Sequence, residues 1–253
     1  MAVTHSCRPN ALLVAVCLAL RLSPAEVSDV LAADATPAVA ARQSAKRPDP
    51  ALSPIEDVPG LPRVLLIGDS ISIGYTIPTR ELLVGKANVH RIPVNGGPTT
   101  RGLEHIEEWV GTSKWDVIHF NFGLHDIKHV DDAGTSVDAA AGHRQVELDA
   151  YRDNLRAMVK RLQRTGARLI WCSTTPVPKG AKGRVPGDEA AYNAAAAEVM
   201  QEAGVEINDL NAFAAPRMEE IGKPADVHYT PQGSRILAGE VARRIEAALP
   251  QAR

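Results

Sequence analysis

The apolar positions along the chain fall into short, unbroken runs separated by longer mixed stretches. Val64, Leu65, Leu66 and Ile67 fill the segment 63–68, and comparable runs occupy 116–122 and 168–172. Continuous rather than alternating apolar character is what a parallel strand covered on both faces demands. Shorter runs at 88–92 and 205–208 predict two further strands. Between them the period changes: Leu148, Tyr151, Leu155, Val159 and Leu162 recur every three or four positions, predicting a helix that stops at Gly166. Leu237, Val241, Ile245 and Leu249 mark a last helix, with Thr230 placed to cap it and Pro231 in its first position. Strand and helix alternate, which predicts a three-layer α/β/α fold around a mostly parallel five-stranded sheet. In such sheets ligand sites gather at the carboxyl ends of the strands.

The N-terminal part does not share this pattern. Arg8, the apolar run from Ala11 to Leu20 and the small residues Ala32, Ala33 and Ala35 form the three parts of a secretory signal, read as residues 1–33. The run is short for a bilayer span, which needs about 20 apolar residues, so an uncleaved signal acting as a membrane anchor is the weaker reading. Residues 34–62 are rich in Ala and Pro with almost no periodic apolar pattern, and read as a flexible tether. The fold is assigned to residues 63–253. Removing the signal takes away Cys7 and Cys17, so Cys172 stands alone and no internal disulfide is expected.

Composition narrows the partners. The 253 residues carry 28 Lys+Arg against 30 Asp+Glu, a formal net charge of -2, so electrostatic capture of nucleic acid is not expected. Loss of the signal removes two residues of each sign, Arg8 and Arg21 with Glu26 and Asp29, and leaves the charge at -2. Aromatic residues make up only 4%, which argues against recognition on a platform of exposed rings.

Four polar clusters lie where a site is expected. Gly68-Asp69-Ser70 follows the first strand, where a hydroxyl at the strand-to-helix turn stands beside helix N–H groups able to stabilise an oxyanion. The plain alternative is a serine that only caps the helix. Gly-x-Ser-x-Gly is absent, because position 72 is Ser72. Asn95 to Thr100 follows the second strand, with Gly97 able to bring a backbone N–H close to a ligand, or simply to turn the chain. Gly123-Leu124-His125-Asp126 ends the third, as donors to substrate or as a capped turn. A metal reading of His125, Asp126, His129, Asp131 and Asp132 lacks a ligand frame around it, so no metal is expected. Asp226-Val227-His228 precedes the last helix: a histidine is the natural base for a serine at neutral pH, and a carboxylate fixes its tautomer and orientation.

In this order and at these distances the clusters resemble the SGNH or GDSL hydrolases, over essentially residues 63–249. The resemblance implies a flavodoxin-like sheet and a serine esterase needing neither metal nor cofactor. It assigns Ser70 as nucleophile, Gly97 and His125 to the oxyanion site, and Asp226 and His228 as the remaining members of a triad. Two departures stand out. His125 occupies the place of the family's usual Asn, so a ring N–H replaces an amide donor; Asn121 is the alternative donor, more naturally a buried structural amide. The acid stands two residues before His228 instead of three, where Ala225 lies, and Asp209 is the reserve acid.

The expected protein is therefore an exported serine esterase, secreted or periplasmic, acting on acyl esters and most plausibly on short acyl groups such as O-acetyl on carbohydrate. A lysophospholipase, thioesterase or acyltransferase on the same residues, and a non-catalytic ligand-binding domain with a degenerate site, are the alternatives. Trp171, Thr174, Thr175 and Pro176 either wall the pocket or pack and turn the chain. Small-molecule or carbohydrate esters are the expected partners; the oligomeric state is left open.

Overall fold

The computed structural model describes residues 49–250; the expected signal, the tether up to residue 48 and the last three residues lie outside them. In chain order the elements are β1 (Arg63–Ile67), α1 (Ser70–Leu82), β2 (Asn88–Arg91), α2 (Thr99–Val110), β3 (Val117–Phe120), β4 (His129–Val130), β5 (His143–Arg144), α3 (Leu148–Gln163), β6 (Arg168–Cys172), α4 (Asp188–Ala203), β7 (Glu206–Asn208), α5 (Leu210–Ala214), α6 (Met218–Ile221) and α7 (Pro231–Ala248).

The main sheet has the order β2-β1-β3-β6-β7 with every neighbour parallel, the doubly wound arrangement in which the strand order reverses between β1 and β3. The five strands fall in the segments predicted for them. Ends differ where other groups claim the backbone: Val205 stays out of β7 because its N–H closes the end of α4 on Met200 O, past Gly204 in the left-handed conformation. Val64, Leu66, Ile67, Val117, Ile118, Phe120 and Ile170 are fully buried, as runs covered on both faces must be.

Helices α1 and α7 pack against each other, while α2, α3 and α4 pack in sequence. Tyr75 of α1 meets His119 of β3 edge-on, which assigns that pair to one face of the sheet. The α2–α3 crossing is close because position 102 is glycine: a Cβ there would stand 2.6 Å from Met158 Sδ. The short antiparallel ribbon β4–β5, not predicted, is tied to the loop before α4 by His129 N–H donating to Gly183 O at 2.7 Å.

Residues 49–62 depart from a flexible tether. Ala51 is buried, Arg80 donates to Pro50 O and Ser53 O, and the Asn88 side chain pairs with both backbone groups of Val58. Asp57 bridges Arg63 at 2.8 Å and His90 at 2.6 Å. Few apolar residues are needed for this strap, because hydrogen bonds from the domain hold its backbone.

Candidate active site

The site is assembled at the carboxyl ends of β1 and β3. After Ile67 the chain turns so that Asp69, not Ser70, caps α1, its carboxylate accepting from Ile71 N–H at 2.9 Å. Ser70 is thus the first helical residue, and the cap-only alternative does not apply to it. Its N–H belongs to the first turn, whose amides have no intrahelical acceptor, and the helix dipole adds positive potential there.

Arg91, at the end of β2, locks this turn from below. Its guanidinium donates to Gly68 O, Asp69 O and Ser72 Oγ, and to Ile92 O and Val94 O, with distances from 2.6 to 3.1 Å. Burial lowers its pKa to about 10, which leaves it charged. The arginine was not singled out from sequence, although a cation inside a run read as a buried strand is itself a signal that polar partners lie at its end.

His228 lies in the turn between α6 and α7, tied back by Lys223 N–H donating to His228 O. Ala225 adopts φ 52°, a left-handed conformation that a non-glycine residue rarely takes, and it tightens the turn. Asp226 Oδ1 thereby accepts from His228 N–H at 3.2 Å and faces ring Nδ1 at 2.7 Å. A carboxylate can only accept, so Nδ1 carries the proton, and Nε2 of the neutral ring is left to accept from Ser70 Oγ at 2.8 Å. Burial raises the Asp226 pKa, but the hydrogen bonds from His228 outweigh it and hold the carboxyl below its ordinary value. Ser70, His228 and Asp226 are therefore in one chain of hydrogen bonds. Asp209 is elsewhere: it caps α5 and accepts from Ser173 Oγ at 2.9 Å.

The expected oxyanion residues are placed less simply. Gly97 takes φ 66°, and its N–H donates to Asn95 Oδ1 at 2.9 Å, so that amide is engaged within its own loop. His125, half-buried, has its pKa lowered first by burial, with Arg184, Lys128 and His228 adding to the effect, which keeps the ring neutral. Asn121 donates to Cys172 O at 2.7 Å and so joins β3 to β6 as a structural amide.

Asp126 links the two loops. Fully buried, it accepts from Thr99 N–H at 2.9 Å and Thr99 Oγ1 at 2.5 Å, holding the start of α2 against the turn that carries His125. Burial raises its pKa to about 7, and its Oδ2 has no partner among the described residues. Among the described residues no group of three or more His, Cys, Asp or Glu converges as a metal would require. Trp171 is buried in the core, and Thr174 is held on both backbone groups by Asn193. Thr174 and Thr175 also line a cavity the size of one water molecule, beneath the Asp69 turn.

The fold is thus a doubly wound α/β sheet that brings a serine, a histidine and an aspartate into hydrogen-bond sequence at its switch point. The chain belongs to the GDSL-like lipase/acylhydrolase family, whose model matches residues 66–236, and is an ester hydrolase. No curated protein sequence matches it. Among solved structures it is similar to a lipase/acylhydrolase from Enterococcus faecalis, 18% identical, with a TM-score of 0.63 over 76% of this chain and 100% of that one. It is also similar to an acetylxylan esterase from Geobacillus stearothermophilus, 19% identical, TM-score 0.61, covering 73% of this chain and 94% of that one. A further acetyl xylan esterase is 17% identical, TM-score 0.60, covering 72% and 99%. No helix among the described residues is long and apolar enough to cross a membrane.

Proposed function

We propose that the protein is an exported serine esterase that removes short acyl groups, O-acetyl foremost, from carbohydrate. The observation that carries the catalytic part is the 2.8 Å contact between Ser70 Oγ and His228 Nε2, joining residues 158 positions apart.

Ser70 Oγ attacks the ester carbonyl carbon while its proton passes to His228 Nε2. Asp226 holds the ring by Nδ1–H and stabilises the imidazolium. The carbonyl oxygen becomes an oxyanion, met by the Ser70 N–H, the His125 ring N–H and the Gly97 N–H, the last after exchanging Asn95 Oδ1 for the substrate. The imidazolium returns its proton to the leaving alkoxide as the C–O bond breaks, leaving acyl-Ser70. Water then attacks the acyl carbon, its proton going to His228, and Ser70 departs reprotonated. Loss of one oxyanion donor in such a site typically costs about 10² to 10³ in turnover.

Export rests on the charged, apolar and small-residue pattern of residues 1–33. The carbohydrate preference is supported by fold likeness to acetylxylan esterases. A fluorophosphonate probe tests the nucleophile: labelling is expected in the folded protein and absent in Ser70→Ala. p-Nitrophenyl esters of increasing chain length test the acyl preference, with acetate expected to give the highest kcat/KM; a maximum at long chains would favour the lysophospholipase reading instead.

A further inference from the structure

The whole chain is nearly neutral, yet cations without an ion-pair partner gather on the segments that carry the site. Four cations lie on or against these segments. Arg184, in the loop between β6 and α4, donates from Nε to Leu124 O at 2.9 Å, beside His125, and its Nη2 has no partner among the described residues. Lys128 follows the His125 turn and acts on the same ring. Lys223 is bonded through its backbone to His228 O, next to Asp226. Arg101 lies against the Gly97 loop, its Cδ 3.1 Å from where a Gly97 Cβ would stand.

None of the four has a carboxylate within ion-pair distance among the described residues, whereas Arg63, Arg144, Arg156 and Arg244 are all paired. Of the carboxylates near Ser70, two are buried and the third is bonded to His228. Asp69 is buried as the α1 cap, Asp126 is buried against Thr99, and Asp226 is engaged by His228. Burial lowers the pKa of both Arg184 and Lys128; Arg184 adds to the lowering at Lys128, while the more distant Asp69 and Asp226 only partly offset it at Arg184. A half-buried guanidinium with an open donor and no carboxylate within ion-pair distance among the described residues is a poor stabilising element. It is a good receptor for a planar or tetrahedral anion, which it can hold through paired N–H donors.

We propose that the ester substrate carries an anionic group, carboxylate or phosphate, close to the scissile acyl group, and that Arg184 binds it with Lys128, Lys223 and Arg101 supplying the attracting field. An acidic saccharide ester, such as an O-acetylated uronate, is the substrate class that joins this chemistry to the esterase reading, on which the inference rests. Arg184 is then a specificity residue: it touches the substrate's charge, not the reacting atoms.

The test compares O-acetylated galacturonan oligomers with O-acetylated xylo-oligomers of matched length, using the acetyl ester of glycerol phosphate as the phosphate arm. At low salt the anionic oligomers are expected to have about tenfold higher kcat/KM, corresponding to one charge-assisted contact of about 1.4 kcal/mol. The advantage should shrink toward parity near 1 M salt, where the screening length is only about 3 Å. Arg184→Gln should lower the anionic-to-neutral ratio through KM, and Arg184→Lys should recover part of it. A preference shared by the phosphate ester supports a general anion site; one confined to the uronate supports a carboxylate site. Equal rates on charged and neutral oligomers at every salt concentration, in the unaltered protein, would overturn the inference even if the Arg184 variants fail to fold. So would salt-sensitive binding to phosphatidylglycerol vesicles without any selectivity among soluble esters, which would make the rim a membrane contact. Failure of the esterase reading looks different: no oligomer of either kind is deacetylated and Ser70 takes no fluorophosphonate label.

Discussion

Asp226 Oδ1 receives His228 twice, from ring Nδ1–H at 2.7 Å and from the backbone N–H at 3.2 Å, although one residue alone separates them. The short tether is what allows this: the turn at Ala225 brings the carboxylate back over its own chain, and little loop entropy is lost in holding it there. A carboxylate two residues before the histidine can therefore hold its ring and backbone at once.

The consequence separates the two candidate acids. Asp226→Asn should reduce kcat by about 10³ to 10⁴ with KM little changed, because an amide no longer fixes the Nδ1–H tautomer or stabilises the imidazolium. Asp209→Ala should instead cost about 1 to 2 kcal/mol of stability, from the α5 cap and the Ser173 bond, and leave kcat intact. Steady-state kinetics and thermal melts on the two variants decide between them; the reverse assignment of effects would identify Asp209 as the acid.

His125 makes a second, sharper prediction. With burial and neighbouring positive charge lowering its pKa, the ring is a neutral donor with a single N–H. His125→Ala should lower kcat by about 10² to 10³, and His125→Asn should recover most of that, since an amide N–H can serve the same oxyanion. Equal impairment in both variants would mean that the ring packs rather than donates.

Asp126 predicts a pH dependence of stability. Its folded pKa of about 7 lies above the ordinary carboxyl value of 3.8, so the folded chain binds a proton that the unfolded chain releases between those limits. Stability from this group is complete below about pH 4, falls as pH rises toward 7, and is flat above. Asp126→Asn keeps an acceptor for Thr99 and removes the ionisation, so its melting temperature should vary less between pH 4.5 and 7 than that of the parent. Parallel curves for the two proteins would rule the explanation out.

The contrast between what the sequence discloses and what it hides has physical causes. The inner strands β1, β3 and β6, covered on both faces, are largely apolar and stand out as runs, whereas the edge strands β2 and β7 carry polar residues and are legible only as short segments; a site at the carboxyl ends follows from the topology. Helix α1 is hidden because Ser72, Thr76 and Thr79 occupy its buried face, with both threonine hydroxyls bonded back to the carbonyl four residues earlier. Helix α4 is hidden because alanines make up much of its stripe. Ser70, Asp226 and His228 were visible as residue types suited to one chemistry. Arg91 was not, and Asp126 stood out only as a member of the third cluster, since the work of both is done through contacts between loops far apart in sequence.

The strap formed by residues 49–62 offers a last test, this time of the domain's boundary. A chain begun at residue 49 keeps Asp57 on Arg63 and His90, the Val58 pairing with Asn88, and the seat of Ala51. One begun at residue 62 loses all of them, leaves the Asn88 side chain unpaired at the start of β2, and uncovers Arg80. Each unsatisfied buried polar group costs about 1 to 3 kcal/mol, whereas the exposed ion pairs contribute less than about 1 kcal/mol each. The shorter chain should therefore melt at clearly lower temperature, by an amount owed mainly to Asn88, and Asn88→Ala in the longer chain should reproduce much of the loss. Identical melting of the two truncated chains would make residues 49–62 a tether after all.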